Sequence, residues 1–338
     1  MSWPGHLHLQ YRHAPARPVA TQAAPATRAA EPPEVADAGR AAHAAGGRTV
    51  AHDRHDGPLR VLQPLYPEGP AICHHVLVHP PGGIVGGDDL QIDVDLQARA
   101  HALITTPGAT RFYRSAGPLA RQRAHLRVGA GARLEWLPLE TLVHDGCRAH
   151  NTLRLELAEG ASMIGWDILA LGLPASAQPL RTGCFEQRID WPARWLEETR
   201  LDFDDEHEAA LTRRLLASPL GWAGHSVLAT AWCAAHPAWS SGLTEALTEA
   251  ARVALSSSMT APPAHAAALA PAAPATACAG ASAPLATWGV TCPQPGLIVA
   301  RALAARTEAA WPALQALRAA WRQVLWGLPD VRPRVWRT

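Results

Sequence analysis

The densest candidate for chemistry in this sequence is the run His79-Pro80-Pro81-Gly82-Gly83-Ile84-Val85-Gly86-Gly87-Asp88. Four glycines and two prolines within ten residues demand backbone angles that few other residues adopt. No Gly-Lys-Ser/Thr follows, so the run is not a phosphate-binding P-loop. The G-x-G-x-x-G spacing is absent and a strand pattern follows, so it is not a dinucleotide fingerprint either. Two uses stay open: a tight turn whose Asp88 bonds its own loop amides, or a carboxylate fixed in place for a ligand. A second run, Thr105-Thr106-Pro107-Gly108-Ala109-Thr110-Arg111-Phe112-Tyr113-Arg114-Ser115, joins hydroxyls, a Pro-Gly turn and two arginines. That set suits phosphate, and equally a strand end, a turn and a solvated next strand. The third and fourth runs, Leu134-Glu135-Trp136-Leu137-Pro138-Leu139-Glu140-Thr141 and Trp166-Asp167-Ile168-Leu169-Ala170-Leu171-Gly172, set carboxylates beside Trp in apolar strands. An acid in such surroundings must be paired, protonated or liganded. A catalytic pair, a metal relay and a buried hydrogen-bond network all meet that requirement.

The remaining candidates are thinner. Cys73, His74, His75 and His79 form the one close group of soft and borderline ligands among 17 scattered histidines. Neighbouring strand residues face opposite ways, so His75 shares a face with Cys73 and His74 does not, which counts against a preformed metal cage. There is no Gly-x-Ser-x-Gly, no His-Glu-x-x-His and no aspartate-rich calcium loop. The six cysteines make no C-x-x-C pair, which excludes a zinc knuckle and a thioredoxin-like motif. Free thiols in a reducing, cytoplasmic compartment are expected. A net charge of +1 argues against a general nucleic-acid or anionic-membrane binder. No apolar run reaches the roughly 18 residues of a membrane span, and Met1 to Tyr11 carries no export-signal core. Every basic residue is Arg; with Ala in such excess, base composition accounts for it.

These residues must be positioned by a β pattern. Leu90, Ile92, Val94, Leu96 and Ala98 alternate with polar residues, as do Ala124, Leu126 and Val128, and then Leu153, Leu155 and Leu157. Each is a strand with one face in and one out. Small-residue turns follow at Ala98-Arg99-Ala100, Gly129-Ala130-Gly131-Ala132 and Glu159-Gly160-Ala161, roughly 30 residues apart, in the range of repeat architectures. The pattern predicts a mainly β, elongated, stacked or solenoid-like body, with a plain β-sandwich as the competing arrangement. Glu197 to Ala217 lacks strand alternation and predicts a helix ended by Pro219. Arg306 to Trp326 carries Trp311, Leu314, Leu317, Trp321, Val324 and Leu325 at helical spacing and predicts an amphipathic C-terminal helix ended by Gly327 and Pro329. The whole reads as one domain over 1–338. Two Ala/Pro-rich stretches, at about 14–45 and 256–284, have too little apolar surface to offset ordering entropy and are expected to be mobile insertions, the second with a short helix over Ala264 to Ala270.

Taken in order, the four runs resemble the UreD (UreH) family of urease accessory proteins: Pro-Pro-Gly-Gly-Ile-Val-Gly-Gly-Asp, Thr-Thr-Pro-Gly-Ala-Thr into Phe-Tyr-Arg-Ser, Leu-Glu-Trp-Leu-Pro-Leu-Glu, then Trp-Asp-x-x-x-x-Gly. Trp3 to Tyr11 resembles the family's first strand, Gly57 to Gly69 the stretch before the Gly-rich turn, and Pro333-Arg334-Val335-Trp336 its terminal segment. The resemblance implies a β-rich stacked fold and a non-enzymatic role in urease maturation. It also implies complexes with UreF, the GTPase UreG and apo-urease, and transient passage of nickel through an internal polar channel, with no tightly bound cofactor. Carried over by position, Asp88, Glu140 and Asp167 are the carboxylates on the nickel path, and Thr105 and Thr106 line the channel. The chain departs from the family pattern where Asp167 replaces a usual Glu and where Leu173 follows Gly172 in place of an Arg. Two rival functions carry different expectations: a hydrolase using Glu140 and Asp167 as an acid/base pair, and a docking module without a metal role. Oxygen ligands on rigid strands suit a conduit, because they hold nickel weakly enough to release it.

Overall fold

The computed structural model describes residues 3–15, 47–260 and 286–337. The first Ala/Pro-rich stretch lies outside the described residues except at its margin, as do residues 261–284 of the second and the helix expected at Ala264 to Ala270. Ser256 begins no insertion, because the helix before it continues to Thr260.

The expected 30-residue repeat is a winding β-solenoid. Strands β1 (Trp3–Ala14), β2 (Arg48–Asp56), β3 (Arg60–Val61) and β4 (Ile72–Val78) form its first end. The regular coils follow as β5 (Asp88–Leu96), β6 (His101–Thr105), β7 (Thr110–Phe112); β8 (Ala120–Val128), β9 (Arg133–Leu137), β10 (Thr141–Val143); and β11 (Arg148–Leu157), β12 (Ala161–Leu171). Strands β13 (Cys184–Trp191) and β14 (Trp195–Asp202) close one sheet. Helix α1 (Glu206–Ala217) leads to β15 (Val227–His236), helix α2 (Ser241–Thr260), β16 (Ala286–Gln294), β17 (Leu297–Ala304) and helix α3 (Thr307–Trp326).

Successive coils stack in parallel. Ile92 pairs with Ala124 and Ala124 with Leu153, steps of 32 (92 to 124) and 29 (124 to 153) residues. Leu103, Glu135 and Ile164 repeat those steps in the second sheet. The turns stack as well: the Arg99 N–H donates to Ala130 O at 2.9 Å and the Gly131 N–H to Glu159 O at 3.0 Å. Arg99, Gly131 and Gly160 all hold the left-handed conformation, with φ of 63°, 64° and 73°, which is why two of these three positions are glycine.

The result is three layers. A seven-stranded sheet (β14-β13-β11-β8-β5-β1-β2) faces a ten-stranded one whose main path runs β16-β17-β15-β12-β9-β6-β4-β3. Leu90, Val94, Leu126 and Leu155 from the first sheet meet Ala102, Ile104, Leu134 and Met163 from the second. The far side of the second sheet is covered by α2 and α3, through Ile164, Trp166, Ile168, Leu314, Leu317 and Trp321. Among the described residues no element covers the first sheet's outer face, and pairs such as His6–Asp93, His8–Asp95 and Asp89–Arg123 decorate it. Burial on one face only explains the clean alternation of β5, β8 and β11. Burial on both explains why β12 reads as nearly continuous apolar sequence.

The helix expected over Glu197 to Ala217 is corrected. Trp195–Asp202 is strand, paired antiparallel with β13, and the helix starts only at Glu206, capped by Asp205, which accepts the Glu208 N–H at 3.0 Å. The inward-facing positions of β14 include Glu197 and Thr199, so no apolar alternation marks it.

Helix α3 is the amphipathic C-terminal helix, ended by Gly327 at φ 65°. Its buried face carries two arginines besides the expected apolar residues. Arg318 and Arg322 are fully buried and both reach Glu135, itself wholly buried on β9. Arg318 Nε donates to Glu135 Oε2 at 2.6 Å and Nη1 to Asp330 Oδ1 at 2.9 Å. Arg322 donates to Glu135 and to Glu68, and Glu68 accepts from His74 at 2.7 Å. Burial alone would raise the Glu135 pKa, but the two guanidinium groups, and after them His101, hold it well below the carboxylate range. Burial lowers His101 to about 4, so it stays neutral beside Glu135.

Glu135→Gln removes the carboxylate that two buried cations share, leaving Arg318 only Asp330 and Arg322 only Glu68, and should cost about 3 kcal/mol. Trp321 is fully buried by its own chain, with its indole N–H donating to Leu247 O at 3.2 Å; Trp321→Ala should cost ~3–5 kcal/mol. Urea midpoints of the two variants measure this, and a midpoint equal to wild type in either would show that α3 is not part of the core.

Candidate functional site

Between the two sheets the apolar filling is interrupted by a polar column. Gln122 on β8, Asn151 on β11 and Gln187 on β13 occupy one inward position in successive coils. Parallel stacking brings their amides together: Gln122 Nε2 donates to Asn151 Oδ1 at 3.2 Å, and Asn151 Nδ2 donates to Gln187 Oε1 at 2.9 Å. Gln187 in turn bonds the Asp167 carboxylate, which comes from the opposite sheet on β12. Donors therefore point one way along the whole column and end at Asp167.

Asp167 borders a cavity of about 300 Å³. Trp136, Ile92, Ala124 and Leu153 form the apolar part of its wall, and the Gly-rich turn and the Thr106 to Arg111 segment enclose it from the other side. The turn needs Gly83 because a Cβ there would stand 2.1 Å from the Tyr113 ring. Backbone bonds knit it to β7: Ile84 N–H to Arg111 O at 2.7 Å and Tyr113 N–H to Ile84 O at 2.9 Å.

Beyond Asp167 the polar row continues. Thr230 on β15 lies opposite Asp167, and Arg301 on β17 lies opposite Thr230. Facing them from β14 is Glu197, which accepts from Arg301 Nε at 2.9 Å, from the Arg301 Nη2, and from Thr230 Oγ1 at 3.3 Å. Asp167 is half-buried only because it edges the cavity; protein surrounds it. That burial, and then the negative charge of Glu197, raise its pKa to about 7 against the bond from Gln187.

The sequence-derived candidates divide sharply. Asp167 and Thr106 line the cavity. The Thr106 hydroxyl donates to Gly108 O and accepts the Leu139 N–H, both at 2.9 Å. Thr105 points the other way, toward α3: its hydroxyl donates to Leu137 O at 2.6 Å and accepts from Trp336 Nε1 at 2.9 Å. Asp88 accepts the Val85 N–H at 2.9 Å and so closes its own turn, outside the cavity lining. Glu140 is half-buried and also outside that lining, with its backbone carbonyl taking the Thr110 N–H at 2.9 Å. The carboxylate whose charge reaches Asp167 is Glu197, not Glu140. Cys73 and His75 share the inward face as expected. His75 Nδ1 bonds the Tyr11 hydroxyl at 2.7 Å, while His74 turns to Glu68 on the other side. Among the described residues, no three His, Cys, Asp or Glu side chains gather closely enough to hold an ion.

All four runs singled out in the sequence contribute to this one cavity: Pro80 with Gly82 to Ile84, Thr106 to Arg111, Trp136 with Pro138 and Thr141, and Asp167. The family described as UreD urease accessory protein matches the chain over residues 37–337. The chain belongs to the UreD family. Proteins named urease accessory protein UreD are 49% identical in Leptothrix cholodnii over 338 residues and 50% identical in Methylibium petroleiphilum over 343 residues, each match covering 100% of both chains. The UreD protein of Variovorax paradoxus is 43% identical over the same full extent. The role of the chain is therefore accessory to urease. Among the described residues, no helix is long and apolar enough to cross a membrane.

Gln122, Asn151, Gln187, Glu197, Thr230 and Arg301 escaped the sequence reading. Gln122 and Asn151 did leave a signal, an amide at an inward position in two otherwise apolar strands, 29 residues apart (122 to 151). For Asp167 the raised pKa has a signed consequence. Below about pH 4 it is protonated in folded and unfolded chains alike. From there to about pH 7 the unfolded chain gives up its proton and the folded chain keeps it, so stability falls as pH rises. Asp167→Asn should therefore be the more stable protein at pH 8, by at most about 4 kcal/mol, with the gap closing toward pH 4. Denaturant melts of both proteins across that range measure the difference; a gap independent of pH would show that Asp167 titrates normally.

Proposed function

We propose that this UreD-family chain is a cytoplasmic urease maturation factor without turnover of its own. It assembles with UreF, UreG and apo-urease and passes nickel toward the urease active site through the space between its two sheets. The observation that carries the reading is the cavity whose single acidic wall residue, Asp167, ends an oriented column of amides. At about 30 Å³ per water, the cavity has room for roughly ten waters, enough for a divalent ion with much of its hydration shell. Most of the donors that meet it are oxygens, the Thr106 hydroxyl, the amide oxygens of the column and the Asp167 carboxylate; the lining also holds the His79 imidazole and the Arg111 guanidinium. Oxygen ligands hold nickel loosely, whereas a cage of thiolates and imidazoles would retain it.

Asp167 supplies the thermodynamic device. With its pKa near 7 it is poised between acid and carboxylate. An arriving cation favours the charged form and expels the proton; as the ion leaves, burial and Glu197 favour taking the proton back. The site therefore stores little charge when empty and binds without trapping. The path runs over Asp167 and Thr106. Asp88 supports it by holding the Gly-rich turn in shape, and Thr105 by anchoring Trp336. A hydrolase built on Glu140 and Asp167 lacks support, because the two do not meet at one cavity wall.

Asp167→Leu should lower both urease activity and urease-bound nickel in cells co-expressing the urease and accessory proteins, and Asp167→Asn should do so less. Pull-downs should recover the complex with UreF, UreG and urease in both cases. Gln187→Leu, which breaks the column, should fall between the two. Full nickel loading by an assembled Asp167→Leu complex would leave the chain as a docking module alone.

A further inference from the structure

We propose that the Glu197–Arg301 ion pair is the gate at the far end of the interior polar row, with the Arg301 guanidinium standing in for the travelling cation until one arrives. The proposal rests on the conduit reading and adds its exit. Asp167 and Glu197 approach from opposite sheets, with the Thr230 hydroxyl between them, so a cation leaving Asp167 along the row meets Glu197 next. Glu197 is already occupied: Arg301 binds both of its oxygens, through Nε and Nη2. A planar fork on two carboxylate oxygens neutralises the site with good geometry.

Three features make this pair an exchangeable plug rather than a structural tie. First, it straddles the boundary with solvent, the Arg301 side chain being 41% exposed and that of Glu197 17%. The outer partner can therefore leave into water, unlike Arg318 and Arg322, whose side chains are wholly buried on Glu135. Second, the strand position paired with Arg301 on β16 is Gly289, and a Cβ built there would meet nothing within 4 Å. Among the described residues, no β16 side chain therefore stands against Arg301 at that position. Third, partly exposed ion pairs contribute little net stability, so a divalent ion competes with Arg301 on favourable terms. Displacement opens the end of the row, and return of the arginine pushes the ion off Glu197 and closes it again. Arg301 is thus a positioning residue of the row rather than a ligand.

The test is nickel binding to the purified full-length chain by calorimetry, with Ni²⁺ alone as probe. Arg301→Met removes the competitor and should tighten binding about twofold to fivefold, the scale of a partly exposed pair. Arg301→Lys, which keeps the charge, should stay near wild type. The double variant Glu197→Gln with Arg301→Met should lose the gain. Arg301→Gln keeps a hydrogen bond to Glu197 without the charge and serves for the same comparison if the Met variant does not fold. Unchanged or weaker nickel affinity in a folded neutral variant overturns the gate. That result is separable from failure of the conduit, which is read instead from full urease loading by Asp167→Leu.

Discussion

Parallel stacking in register is the constraint from which the interior follows. It sets each inward side chain of a coil directly against the side chain at the same position of the next. For apolar residues this is ordinary packing. For an amide it is a demand, because a buried amide without a partner costs several kcal/mol on an order-of-magnitude scale. The demand is met when the next coil also carries an amide. Gln122, Asn151 and Gln187 satisfy one another in this way. The chain of partners ends where Asp167 reaches across from the second sheet. A polar seam inside an otherwise apolar solenoid is thus a property of the stack rather than of any one residue.

Two buried acids show how the same side-chain chemistry is turned to opposite ends. Glu135 and Asp167 sit on adjacent strands of the second sheet and face opposite sides of it. Glu135 faces α3 and meets two guanidinium groups, so it is permanently charged and fastens the C-terminal helix to the solenoid. Asp167 faces the other sheet and meets one amide and the charge of Glu197, so its charge is left uncommitted. A fully compensated acid is mortar; an under-compensated one can take part in traffic.

Much of the scaffold was legible in the sequence. Period-two alternation located β5, β8 and β11 because no described element covers one face of the first sheet. The turn spacing gave the coil length, and the helical spacing gave α3. The limits have physical causes. The second sheet is buried on both faces, so its strands carry no contrast between inside and outside. Nothing in the sequence separated Thr105, which serves the helix side, from Thr106, which serves the cavity. The same ambiguity let Glu140 stand for the important acid of its run, when Glu135 is the one enclosed. Strand β14 was invisible because Glu197 and Thr199 fill inward-facing positions. Arg301 and the two arginines of α3 act through partners about a hundred or more positions away in the chain (197 to 301, 135 to 318), a distance no local pattern spans.

The direction of the amide column has a further consequence. Each amide presents its N–H side to one neighbour and its oxygen to the other, so turning a single one would set oxygen against oxygen on one side and N–H against N–H on the other. The three amides must therefore reverse as a unit or stay as they are, a chain of dipoles with two settings. Because Gln187 donates to Asp167, the setting is tied to whether that carboxylate is free to accept. With neighbouring strands about 4.8 Å apart, the state of one acid on β12 is written into the orientation of Gln122 roughly 10 Å farther along the stack, beside the wall formed by the glycine-rich turn.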